Sequence, residues 1–157
     1  MNKILLVFYS RTGATRKVAE EIAKNISCDI EEIFDTKDRS GAWGYLLAGR
    51  DATGKKLTIL KPTKYNSVDY DLIIIGTPVW AWSISAPIRT YLENNKSKFK
   101  DVSFVVTSGG TEGVKIFQDM ANVCGKEPKA VLEFRTKEVF AGNISDKVKE
   151  FANMICG

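Results

Sequence analysis

The sequence predicts a doubly wound α/β domain: a five-stranded parallel sheet of order 2-1-3-4-5 with helices on both faces. Three observations lead there. Short apolar runs alternate with longer helical stretches, which is the pattern of stacked βαβ units. Two of the runs, Leu72-Ile73-Ile74-Ile75 and Phe104-Val105-Val106, are continuous and β-branched rather than alternating, as befits strands covered by helices on both faces. The segments that leave three of the runs are rich in Gly, Ser and Thr, where a parallel sheet places its ligand loops.

The first strand is expected over Lys3 to Tyr9, a weaker second over Asp29 to Phe34, and the others over Leu72 to Gly76, Val102 to Thr107 and Ala130 to Phe134. Between the first two, Val18, Ala19, Ile22, Ala23 and Ile26 fall on one helical face, with Arg16, Lys17, Glu20, Glu21 and Lys24 on the others. Pro87 stands where a helix can begin, followed by Ile88, Tyr91 and Leu92. Val114, Phe117 and Ala121 mark the next apolar stripe. The last helix takes Asn143 as its cap and aligns Ile144, Val148, Phe151, Ala152 and Ile155. The segment from Asp35 to Tyr70 is irregular; a short helix over Gly41 to Gly49 and an extended piece over Leu57 to Leu60 are expected in it.

A chain of 157 residues, 44% apolar and 27% charged, has the size and composition of one ordinary globular domain, here residues 1–157. The apolar run Ile4 to Tyr9 is too short to span a membrane and lacks a cleavage site, so a cytoplasmic protein is expected. Cys28, Cys124 and Cys156 are far apart, with neither C-x-x-C nor zinc-ligand spacing, and read as thiols in a reducing compartment. The absence of histidine removes Ser-His-Asp and Cys-His nucleophile pairs and H-E-x-x-H zinc chemistry. Net charge is +4, but the basic residues are dispersed, without the concentrated patch and interleaved aromatics of a nucleic-acid binder.

Three segments carry chemistry. Ser10, Arg11, Thr12, Gly13, Ala14 and Thr15 lie between the first strand and the first helix, where an anion meets unpaired N–H groups and the positive end of a helix dipole. Hydroxyls can donate to phosphate oxygens there, and Gly13 lets the backbone approach; the same composition also makes a simple capped turn. The segment is neither a Walker A nor a three-glycine dinucleotide fingerprint. Thr77, Pro78, Val79, Trp80, Ala81 and Trp82 follow the third run. Two tryptophans in a loop either cap the core or offer a flat face to a planar aromatic ligand. Thr107 to Gly113 follow the fourth run, and Ser108, Gly109, Gly110 and Gly113 leave backbone groups open to a neighbour. In the expected strand order all three segments converge at the topological switch point.

The stretch from Tyr9 to Ala23 is similar to the FMN-phosphate signature of the flavodoxin family. Gly76-Thr-Pro-Val-Trp-Ala-Trp, followed by Ala86-Pro-Ile-Arg-Thr-Tyr-Leu, resembles its flavin loop, and Thr107-Ser-Gly-Gly matches the second flavin loop in place and character. Gly41 to Gly49 resembles a segment of one branch of flavodoxin-domain proteins. The resemblance runs over nearly the whole chain. It implies a flavodoxin-like fold and an FMN with its phosphate on Ser10 to Thr15 and its ring between Pro78 to Trp82 and Ser108 to Gly113, stacked on Trp80 or Trp82. Whether Trp43 and Tyr45 close over the flavin or only pack is open. Arg11 replaces a small hydroxyl residue and Ala14 a phosphate-reaching one, so a guanidinium would restore the lost contact.

On these grounds a redox protein that transfers electrons through non-covalently bound FMN is expected, with a redox partner protein or NAD(P)H as electron source, no catalytic side chain and no metal. Two alternatives stand beside it: an NAD(P)H-dependent FMN or quinone reductase, and a flavin-free phosphate-binding or signalling module. The acidic stretches of electron-carrier flavodoxins are missing from this +4 chain, which argues against their usual basic partners.

Overall fold

A computed structural model describes residues 2–110 and 113–157. Its elements are β1 (Ile4–Phe8), α1 (Ala14–Asn25), β2 (Asp29–Glu32), α2 (Gly41–Thr53), β3 (Leu72–Trp80), β4 (Ser83–Ile84), α3 (Ala86–Asn95), β5 (Asp101–Ser108), α4 (Gly113–Cys124), β6 (Val131–Arg135), α5 (Thr136–Ala141) and α6 (Ser145–Cys156). Five strands pair in parallel in the order β2-β1-β3-β5-β6, and the short β4 adds an antiparallel pair to the end of β3. The expected strand order is therefore present, with one small strand added.

Successive side chains of a strand point to opposite faces, which explains why the central runs are apolar throughout. Leu5, Val7, Ile73, Ile75, Phe104 and Val106 face one way and pack with Ala48 of α2, Ile88 and Leu92 of α3, and Ile116 and Met120 of α4. Leu6, Phe8, Ile74, Val105 and Phe134 face the other way, onto Val18 and Ile22 of α1 and Val148 and Phe151 of α6. Each fully buried large side chain contributes about 1.5–3 kcal/mol, so these two layers hold the sheet that carries the loops.

Several boundaries differ from the sequence reading. β2 stops at Glu32, since only Asp29 to Glu32 pair with β1. β3 continues past Gly76 to Trp80, because its ladder with β5 extends through Pro78 and Thr107 and β4 then pairs with Val79 and Trp80. The helix expected over Gly41 to Gly49 runs on to Thr53. Leu57 to Leu60 forms no strand and makes one bridge, Leu60 to Asp35. Asn143 does not cap the last helix: α5 intervenes after β6, and the Asn143 N–H closes its end on Glu138 O. α6 then starts at Ser145. No helix among the described residues is long and apolar enough to cross a membrane.

Candidate functional site

The turn from β1 into α1 is built around Ser10 and Gly13. Gly13 takes φ +99°, a left-handed backbone that a side chain would strain. Ser10 Oγ accepts from the N–H groups of Gly13 (3.1 Å) and Arg16 (3.3 Å), which leaves its own hydroxyl proton free to donate. The N–H groups of Ala14 and Thr15, in the first turn of α1, have no acceptor among the described residues. These are the orphan donors of a helix start, directed at whatever anion rests there. Thr12 is exposed, and Ala14 turns its methyl into the core. The Thr15 hydroxyl is buried and meets Thr107 Oγ1 at 2.8 Å, joining the start of α1 to the end of β5. This approach requires Gly76, because a Cβ there would come within 3.3 Å of the Thr15 methyl and 3.1 Å of Phe8 Cβ.

The second segment is a hairpin rather than an open loop. Ala81 and Trp82 form its two-residue tip, and both have positive φ, 46° and 59°. Such a turn matches the twist of the strands but ordinarily takes Gly or Asn, and each side chain held there costs about 1–2 kcal/mol. Thr77 Oγ1 braces the hairpin from beneath through Ser85 Oγ at 2.9 Å and Pro78 O at 2.8 Å. Lys115 Nζ donates to Trp82 O at 3.1 Å and ties the tip to α4.

The two tryptophans diverge. Trp80 is 6% exposed and packs edge-on against Tyr9, with ring centroids 5.2 Å apart at 87°. Trp82, on the turn, is 66% exposed. Trp80 therefore belongs to the core, and Trp82 presents the free indole.

Val79, Ala81 and Trp82 share one open cleft of about 340 Å³ with Ser108, Gly109, Gly110 and Tyr45. Ser108 Oγ donates to Gly110 O at 3.1 Å, which curls the third segment toward the hairpin. Gly113 stands apart, its N–H donating to Glu133 Oε1 at 3.2 Å. Thr111 and Glu112 of the same segment lie outside the described residues. The first loop does not line this cleft. It adjoins through Arg11, whose guanidinium lies 5.4 Å from the centre of the Tyr45 ring while its Nη1 donates to Arg39 O at 3.3 Å. Tyr45 is thus a wall of the cleft, and Trp43 projects from the exposed face of α2.

A buried charge network beside Trp80 is absent from the sequence reading. Arg39 donates to Asp35 through Nε at 2.9 Å and to Asp51 through Nη2 at 3.0 Å, and all three side chains are almost wholly buried. Lys37 and Arg50 also reach Asp51, and Thr58 Oγ1 donates to Asp35. Burial raises the Asp51 pKa, but the hydrogen bonds from Lys37 and Arg39 outweigh it and hold the carboxyl below its usual range. Burial, with Asp35 adding to it, pushes the Tyr9 phenol up to about 12, so Tyr9 stays neutral. The available signal was the i,i+4 spacing of Asp35 and Arg39 and a single carboxylate, Asp51, in a helix whose one other charged residue is Arg50.

Comparison with known proteins places the fold. A family model described as flavodoxin matches residues 3–155. A flavoprotein from Lactobacillus acidophilus, solved in complex with FMN, is 28% identical, covers 90% of this chain and 98% of its own, and superposes with a TM-score of 0.70. A putative flavoprotein from Bacteroides uniformis is 21% identical over 97% of this chain and 98% of its own, with a TM-score of 0.75. The flavodoxin of Streptococcus pneumonia, 16% identical over 98% of this chain and 97% of its own, has a TM-score of 0.60. The last two likenesses are of fold alone. No curated protein matches the sequence.

Proposed function

Since this chain belongs to the flavodoxin family, its sequence matching the family model over residues 3–155, we propose that it binds one FMN without a covalent bond and serves as an electron carrier. The observation that carries the reading is the pairing of an anion cradle at the start of α1 with an adjacent cleft that exposes an indole on a strained turn. The residues present suit the group. Ser10 and the N–H groups of Ala14 and Thr15 donate to the phosphate, with Arg11 supplying charge. Trp82, Tyr45 and the backbone of Ser108 to Gly110 flank the ring. A cleft of about 340 Å³ lies in the size range of small-molecule sites.

Bound FMN supplies reversible electron transfer, and the protein supplies position and electrostatics. No side chain need act as acid, base or nucleophile. Thr15, Thr77 and Trp80 act from below by holding the loops in place. The net charge of +4 favours a redox partner with an acidic face, and three free thiols suit a reducing cytoplasm.

Visible absorbance of the purified protein, followed by titration of stripped protein with FMN, tests the binding. A colourless protein that takes up no added FMN overturns it in favour of the flavin-free module. Anaerobic addition of NADPH and NADH tests the role. Persistence of the oxidised spectrum until a protein donor is added supports the carrier, whereas rapid bleaching by either nucleotide makes the protein a reductase.

A further inference from the structure

We propose that Cys28 and Cys156 are a reversible thiol–disulfide pair, oxidised by low-molecular-weight disulfides, whose bond pins the last turn of α6 to the connection between α1 and β2. The two residues stand far apart in sequence, yet each lines one of two adjoining clefts at the end of the sheet where β1 and β2 begin. Cys28 borders a cleft of about 310 Å³ and Cys156 one of about 420 Å³, and the two clefts share Asn2, Ile4 and Ser27. The main strands all run one way, so these clefts lie at the opposite end of the sheet from Ser10, Trp82 and Gly109, and the proposal is independent of the flavin reading.

Packing brings the two thiols to one place. Cys28 and Ile155, the residue before Cys156, rest on the same apolar layer beneath α1 and α6. The Cys156 sulfur is near enough to act on Cys28: burial pushes the Cys28 thiol up to about 11, with Asp29 and then Cys156 adding to it. Neither cysteine is locked inside an element, since Cys28 lies between the end of α1 and the start of β2 and Cys156 is the last residue of α6. Both backbones can therefore settle to the Cα separation of about 4.4–6.8 Å that a disulfide requires. Cys124 takes no part, being buried with its thiol turned to Ala121 O and Lys126 O.

Exposure sets the order of the steps. Cys156 is exposed and Cys28 half-buried, so the Cys156 thiolate attacks first. Its sulfur bonds to one sulfur of the small disulfide, whose S–S bond breaks, and the departing thiolate takes up the proton that Cys156 lost. Cys28 then gives its proton to solvent and attacks the Cys156 sulfur, and the second small thiol leaves with a proton in turn. Two protein thiols are oxidised and one small disulfide is reduced to two thiols, so no other electron donor or acceptor is needed.

Incubation of the folded, purified protein with oxidised glutathione, followed by alkylation with iodoacetamide, intact mass and peptide mapping, tests it. The expected product carries a Cys28–Cys156 bond, keeps Cys124 as its one thiol open to alkylation after denaturation, and returns to the thiol form with dithiothreitol. Cys28→Ser is expected to stop at a lasting glutathione adduct on Cys156, and Cys156→Ser to form no internal bond. The bond encloses most of the chain, so the oxidised protein is expected to melt about 10 °C above the reduced one. Failure to react, a lasting adduct on the parent protein, a dimer joined through Cys156, a bond to Cys124, or equal melting temperatures of the two forms each overturns the proposal.

Discussion

The guanidinium of Arg39 lies 5.0 Å from the centre of the Trp80 ring, so the last residue of β3 is clamped to the segment that leads into α2. One face of the indole meets a cation whose other contacts are two buried carboxylates, and the ring edge meets Tyr9. Removing Arg39 leaves the buried Asp35 carboxylate with Thr58 as its remaining side-chain donor and takes one of three cations from the buried Asp51. Arg39→Met is expected to destabilise the fold by about 3 kcal/mol in chemical denaturation. Arg39→Lys is expected to recover only part of this, because an ammonium cannot serve both carboxylates and stack on the ring.

Asp51 gives the same network a pH dependence of known sign. Its carboxyl is held below the ordinary value of 3.8, so its contribution is complete above that value and is lost as pH falls from there through the folded-state pKa. Asp51→Asn removes the charge at every pH. Urea denaturation of both proteins is expected to show a large stability gap at neutral pH that narrows on acidification below about pH 4. A gap that stays constant down to the acid transition would remove Asp51 from the account.

The sheet was legible because its central strands are buried on both faces, and nothing but an apolar β-branched run satisfies that environment. The Asp35–Arg39–Asp51 cluster was not, since its members look like ordinary surface charges until the irregular segment folds back over Trp80. The two tryptophans divided for a related reason. β3 runs four residues beyond Gly76, and a hairpin was hidden because Ala81-Trp82 is not a turn-forming pair; its positive φ angles are imposed by the β3–β4 pairing and by Lys115. The placement of the three loops at one end of the sheet followed from strand order alone.

Gly76 decides how closely α1 approaches the sheet. A methyl group there would press on Thr15 at 3.3 Å and on Phe8 at 3.1 Å, both packed, so relief requires the first turn of α1 to move. Gly76→Ala is expected to cost about 1–3 kcal/mol of stability. It is also expected to weaken FMN binding, since the same shift displaces the N–H groups of Ala14 and Thr15. Gly109→Ala, at a position open on all sides, is the control for stability and is expected to leave the denaturation midpoint unchanged.

Trp80 and Trp82 are expected to fail in opposite ways. Trp80→Ala empties a core position beside Tyr9 and Arg39 and is expected to cost about 3–5 kcal/mol of stability, with weaker FMN binding as a consequence of a disordered hairpin. Trp82→Ala removes an exposed ring from a strained turn and is expected to leave stability within about 0.5 kcal/mol of the parent. Its cost falls on the cofactor: loss of one stacking face is expected to weaken FMN by about 1–3 kcal/mol. Lys98→Ala, on the exposed turn before β5, changes neither quantity. Fluorescence titration of the three stripped proteins with FMN, paired with their denaturation curves, separates the two effects. If Trp82→Ala and Lys98→Ala bind FMN equally well, the exposed indole plays no part in holding the ring.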